Sequence, residues 1–182
     1  DVTVKMVESH SGFLRDWIDA GSLDVAILFN IRDAEGLEVR PLLTEAMHLI
    51  SAPSFGVRTG RDRISLSKLS SIDLLMPSQT HMMRKLLDEA ATAATGGVFR
   101  IKAEIDALST LKKLVIAGQG HTILPLATVR EELESGKVIA HRIERPRLER
   151  HLSLVRLSRR PITRAENAIT DLIYDLVRTP AS

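Results

Sequence analysis

The 182-residue chain contains no cysteine. Disulfides, thiolate metal sites, cysteine nucleophiles and thiol-based redox sensing are therefore closed to it. Aromatic residues make up 3% of it, too few for a platform that stacks nucleic-acid bases. Charge of one sign is not in excess. Twenty-five lysines and arginines stand against 23 aspartates and glutamates, a formal net charge of +2, which is no nucleic-acid footprint. No apolar run approaches the roughly 18 residues of a membrane-spanning helix, and the opening Asp1-Val2-Thr3-Val4 does not read as a signal peptide. What is present is 44% hydrophobic and 26% charged, enough for one sizeable core or two smaller ones sharing a hinge.

Strand and helix patterns alternate along the chain. Val2–Val7 reads as a strand, Phe13, Leu14, Trp17 and Ile18 share a helical face that Gly21 stops, and Leu23–Phe29 is an apolar run typical of a strand covered on both sides. Together they predict a βαβ unit. Val39–Ile50 holds two extended stretches around Thr44-Glu45, Pro53–Asp62 reads as a loop, and Ile72–Met76 as a strand ended by Pro77. A helix follows, capped by Ser78 or Thr80 and stopped by Gly96-Gly97, with Met82, Met83, Leu86, Leu87 and Ala90 on its inner stripe. Phe99–Ile105 alternates like a strand with one wet face, and Asp106 is placed to cap the helix that Gly118 ends. Val138–Ile143 and Leu152–Leu157 read as strands joined by a charged, solvated connector carrying Arg145, Arg147 and Arg150. The last helix opens with a capping box, Thr163 and Glu166, and carries an apolar stripe from Ala165 to Val177. The pattern predicts an α/β fold with mainly parallel sheets and two lobes, the first ending near Leu43.

Catalytic signals are absent. There is no nucleophile elbow and no phosphate-binding loop, and Ser9-His10-Ser11-Gly12 sets a serine beside a histidine as sequence neighbours, which is not how triads assemble. Gly118-Gln119-Gly120 follows a helix and lacks the third glycine of a dinucleotide fingerprint; it reads as a helix stop that either is only a tight turn or also lines a ligand site. None of the six histidines, His10, His48, His81, His121, His141 and His151, has metal-ligand spacing. Nothing in the sequence asks for a metal or a cofactor. Two helix starts stand out, at Ser9–Gly12 and at Ser78–His81, each directly after a predicted strand. In open α/β sheets ligands bind there, and free N–H groups with the helix dipole favour an anion. Ordinary N-capping explains the same residues equally well.

Four segments in order resemble the effector domain of LysR-type bacterial transcription regulators. They are Glu8–Leu14, Ala20–Ile27 with its Gly-Ser-Leu-Asp, Val39–Glu45, and Leu114–Pro125 with its Gly-Gln-Gly and Leu-Pro. The resemblance covers nearly the whole chain. It implies an α/β fold of two Rossmann-like subdomains joined by crossover strands, like a type 2 periplasmic binding protein. Subdomain I would hold residues 1–43 and 158–182, including the last helix, and subdomain II residues 44–157 with the crossover strands. The family domain begins with a further strand and helix ahead of the position matching Asp1, and the DNA-binding winged helix-turn-helix ahead of that. The resemblance therefore implies that this chain is a fragment lacking them.

It also implies a non-enzymatic, cytoplasmic regulator that senses a small molecule in a cleft between its lobes. By analogy, Ser11 and the run Pro77, Ser78, Gln79 and Thr80 line that cleft. Ser9, His10 and His81 are neighbours, and Ile105 with Gly118, Gln119 and Gly120 approach it. The two helix starts point to a carboxylate or other anion as the effector. The intact protein would self-associate as a homodimer or tetramer, with the Ser78–Ala94 helix and Phe99–Ile105 strand at the interface. It would touch DNA only through the winged helix-turn-helix and would not touch membrane. The alternative on the same architecture is a periplasmic solute-binding protein.

Overall fold

A computed structural model describes residues 2–9, 11–31, 34–55 and 62–178. His10 and most of the Pro53–Asp62 loop lie outside the described residues. The chain divides into two compact units, unit 1 from Asp1–Thr44 and Arg150–Ser182, and unit 2 from Glu45–Glu149.

Unit 1 is built on strand β1 (Ala26–Phe29), the first half of β2 (Leu37–Ser51) and most of β8 (Glu149–Leu157), in the order β1-β8-β2. Helices α1 (Ser11–Asp19) and α6 (Arg164–Arg178) belong to the same unit. Its core gathers Ile18, Ala26, Leu28, Leu37, Val155 and Leu157. The expected βαβ unit does not form. Residues 2–9 have no regular secondary structure, with Val2, Val4 and Met6 exposed, and β1 pairs antiparallel with β8, Ala26 opposite Val155. Alternating apolar residues make a strand only beside a ladder that takes up their N–H and C=O groups, and the described residues supply none for 2–9. Arg150 also departs from expectation: it is the second residue of β8 and its guanidinium lies 5.0 Å from the centre of the Phe29 ring, a cation–π contact rather than a solvated connector.

In unit 2 the second half of β2 is flanked by β6 (Thr122–Pro125) and β7 (Ile139–Glu144), both antiparallel to it, while β3 (Arg63–Ser65) runs parallel to β7. A separate pair, β4 (Leu74–Met76) and β5 (Ile101–Glu104), is parallel. Helices α2 (Leu66–Leu69), α3 (Met82–Thr95), α4 (Leu108–Ile116) and α5 (Arg130–Glu134) complete the unit. The expectation of mainly parallel sheets is therefore corrected. The antiparallel pairs arise at β2 and β8, the long strands that pass between the units, each of which meets neighbours running the other way. Nor does Thr44-Glu45 divide two strands. β2 continues through it, and the unit boundary falls inside this one strand.

Ten of the twelve largest fully buried side chains belong to unit 2, among them Met47, Leu49, Leu74, Met76, Leu87 and Ile143. Each contributes about 1.5–3 kcal/mol by leaving water, so unit 2 holds the stronger core. α6 differs most from its sequence reading. Its capping box forms, but Leu172 and Leu176 are 53% and 67% exposed, and the residues it buries are Glu166 and Thr170.

Candidate functional site

The two helix starts singled out in the sequence have opposite furnishings. Ser11 is the first residue of α1 and is 7% exposed. Its hydroxyl is buried and has no hydrogen-bond partner. It bonds no helix N–H, and it stands inside the helix as its first residue rather than ahead of it. Ser9, two residues earlier, is half-buried and outside regular structure.

The second start lies at the carboxyl end of the parallel β4–β5 pair. Met76 faces Glu104 in register, and Met76 C=O accepts from the Ile105 N–H at 2.8 Å. The chain leaves β4 through Pro77, Ser78, Gln79 and Thr80, and leaves β5 through Ile105 and Asp106, so this half of the expected set does come together. Part of its donor set is already used. Asp106 Oδ1 accepts from the Ser78 N–H at 2.8 Å. The α3 cap is His81, whose ring Nδ1 accepts from the Met83 N–H at 3.2 Å. Neither Ser78 nor Thr80 caps the helix; their hydroxyls share a hydrogen bond of 2.9 Å. The α4 cap residue is Ala107, not Asp106. The likeness of Asp106 to a helix cap in sequence hides a tertiary role: it ties the β5 exit to the β4 exit.

Gly118, Gln119 and Gly120 lie elsewhere in unit 2, at the amino end of β4. The His121 N–H donates to Asp73 C=O at 3.2 Å, and a Cβ on Gly120 would stand 2.9 Å from Leu75 Cγ. Gly118 takes φ +70°, the left-handed turn that lets α4 stop there. The structure brings this turn beside Asp73 and Leu75.

Sequence reasoning missed Arg84. It is 5% exposed and lies on the buried face of α3 with Leu87 and Ala91. Its guanidinium reaches Asp88 at 2.8 Å, Glu104 at 2.9 Å and Pro77 C=O at 3.0 Å. It thus fixes the start of the Pro77–His81 turn to α3 and β5. The signal was an arginine three residues before Leu87 on the inner stripe, with an acid at i+4 to pair it.

Unit 2 also buries histidines. The side chains of Ser51 and His121 share a 2.6 Å hydrogen bond, and Phe55 stacks on the His121 ring at 5.1 Å. Burial holds the His121 pKa below the ordinary imidazole value against the pull of Asp73, with His141 adding repulsion. His141 and His48 are lowered by burial as well. No group of three or more potential metal ligands occurs among the described residues, and no helix there is long and apolar enough to cross a membrane. A depression of about 650 Å³ on unit 1, lined by Arg40, Asp171, Tyr174, Asp175 and Arg178, contains none of the residues expected at the site.

Comparison with known proteins sets this geometry in context. A family model described as the LysR substrate binding domain matches residues 1–178. The nitrogen assimilation regulatory protein nac of Klebsiella aerogenes is 26% identical over 181 residues, covering 100% of this chain and 58% of that protein. The chain thus spans a little over half the length of the curated relative. The solved effector binding domain of QuiR in complex with shikimate is 20% identical with a TM-score of 0.78, over 92% of this chain and 78% of that one. The regulatory domain of CcmR from Synechocystis PCC6803 in complex with 2-PG is 14% identical with a TM-score of 0.80, over 94% of this chain and 82% of that one. At these identities the two structures speak to the fold.

Proposed function

The chain belongs to the LysR substrate-binding domain family, and from that membership we propose that it is the sensing part of a longer transcription regulator whose effector is a small anion such as a carboxylate. Family members of this kind are regulators, not enzymes. The periplasmic solute-binding alternative shares the fold, but the curated relative across the full chain is a regulator.

One observation carries the anionic reading. The Ser11 hydroxyl is buried at the start of α1 with no partner. A buried hydroxyl without a hydrogen bond costs about 1–3 kcal/mol. That cost is removed when a ligand supplies the acceptor, and the N-terminal end of a nine-residue helix favours that acceptor being negative. QuiR was solved with shikimate, a carboxylate, on the same fold.

In the inter-lobe cleft that the family resemblance implies, Ser9, Ser11 and the Pro77–His81 turn are the residues we assign to the effector. The ligand shifts the population of conformations by its differential affinity for them and by no more. In the intact regulator that shift reaches DNA through a separate winged helix-turn-helix and through self-association of the chain.

The test is a thermal-shift screen of small organic acids, amino acids and inorganic anions, with calorimetry on each hit. An anion is expected to bind, and Ser11→Ala to weaken it by about 1–3 kcal/mol. Binding confined to cationic or purely apolar compounds contradicts the reading.

A further inference from the structure

We propose that Ser51 and His121 form a pH-sensitive pin within unit 2. With His121 neutral they fasten the β4–β5 pair, which carries the Pro77–His81 turn, to the β2–β6–β7 sheet, and protonation of His121 releases that fastening. Any consequence for effector binding rests on the sensing role proposed above; the pin itself does not.

The β4–β5 pair is a sheet of its own. His121, the residue just ahead of β6, ties it to the larger sheet by main chain and side chain together. The Leu75 N–H donates to His121 C=O at 2.7 Å, and the His121 N–H to Asp73 C=O at 3.2 Å. The His121 ring Nδ1 lies 2.6 Å from the hydroxyl of Ser51, the last residue of β2. Ser51 is fully buried and His121 is 6% exposed, so water is a poor substitute for either partner. Phe55 stacks on the same ring. Leu74 and Met76 share an apolar cluster with Met47 and Leu49. That packing does not respond to protons, whereas the Ser51 bond does.

In the pin the ring carries its hydrogen on Nε2, and Nδ1 accepts the Ser51 hydroxyl. A protonated imidazole donates from both nitrogens, so the hydroxyl can no longer donate to Nδ1 and has to turn. The charges around the ring disfavour the cation. Asp73 would support it, but the Arg100 guanidinium holds Asp73 Oδ1 at 2.6 Å. From β7 comes His141, also buried, whose own supporting acid is Asp62. From β5 the Lys102 ammonium, bonded to Gln119 C=O, brings a further positive charge. Burial therefore keeps His121 below the ordinary imidazole value against the pull of Asp73. A locally opened state, in which the ring meets water, takes up the proton first, so opening gains as pH falls below about 6.5.

The experiment is residue-resolved amide exchange on the ligand-free chain at about pH 7.5 and about pH 5.5, corrected for intrinsic rates. Ring nitrogen chemical shifts of the histidines are measured alongside it. Leu75 protection is expected to fall roughly fivefold relative to the β2–β7 amides at the lower pH, the weight of one hydrogen bond. His121→Gln still offers Ser51 a partner but takes up no proton, and should abolish the difference. Ser51→Ala should show the lower Leu75 protection already at the higher pH, and His141→Gln should respond as wild type does. The ring shifts should show neutral His121 with Nδ1 bare. The pin is wrong if Leu75 and the β2–β7 amides lose protection in step. It is equally wrong if the response survives in His121→Gln, if it vanishes in His141→Gln, or if Nδ1 carries the hydrogen at the higher pH.

Discussion

α1 and α3 begin in ways that look interchangeable in the sequence, a short polar turn with small hydroxyl residues, yet their chemistry is opposite. At α1 the Ser11 hydroxyl is buried without a partner. At α3 the cap, the Ser78 N–H and the Ser78 and Thr80 hydroxyls are all paired within unit 2. A helix start is an anion site only while its donors are open, and whether they are open is decided by groups far away in sequence. For α3 those groups are Asp106, 28 residues on from Ser78, and Arg84, which fastens Pro77. α6 is a third case, closed locally: Glu166 Oε2 accepts from the Thr163 N–H at 2.8 Å, and Thr163 Oγ1 from the Glu166 N–H at 3.1 Å.

The largest expected effect breaks the α3 side. Arg84→Ala removes a buried guanidinium from two carboxylates whose side chains are 33% and 45% exposed. Water relieves part of the loss, so the cost is set below that of a fully buried pair, at about 2–3 kcal/mol. Urea unfolding should read it, and amide exchange should show Ser78 and Met83 losing protection. An unchanged midpoint would mean that the turn is held without Arg84.

Thr163→Ala sharpens the comparison from the other direction. It opens the α6 box and should cost about 1 kcal/mol, whereas Ser11→Ala, at a start where the hydroxyl bonds nothing, should cost none. Equal losses in the two variants would erase the distinction between a capping hydroxyl and a waiting one.

The smallest effect concerns the units. His48, His121 and His141, all in unit 2, have pKa values lowered by burial from the usual 6.5. The unfolded chain therefore takes up protons first as pH falls. The stability these groups contribute is full above about pH 6.5 and is lost below it. The unfolding free energy should decline as pH drops from about 7.5 to about 6. His121→Gln, which retains a partner for Ser51, should flatten part of that decline, and an unaltered slope would remove His121 from the account.

These contrasts also mark how far the sequence could be read. The Thr163–Glu166 box and the stops at Gly96 and Gly118 were legible because each is fixed by residues within a turn of one another. The two-lobed α/β class was legible from the alternation of patterns and from the family motifs. Val2–Val7 was not, because its period-2 pattern says nothing about whether a neighbouring strand exists. The continuity of β2 through Thr44-Glu45 was hidden by polar residues that the unit boundary leaves half-buried or exposed. Within the candidate site, the turn residues were legible and their state was not. Asp106 looked like a cap for the helix after it, and Ser11 like a cap for its own, since both satisfy the local rule. Only the tertiary placement of β4 against β5 turns Asp106 toward Ser78, and only tertiary packing closes water away from Ser11.

The central claim is that the Ser11 hydroxyl is held for a ligand, and Ser11→Ala measured for both stability and binding tests it most directly. Thermal unfolding of the ligand-free chain should be unchanged or raised, by up to about 1 kcal/mol, because an unsatisfied buried hydroxyl is removed. The affinity of the acid found in the screen should fall in the same variant. A lowered midpoint with unchanged affinity would contradict the claim and make Ser11 an ordinary structural residue of α1.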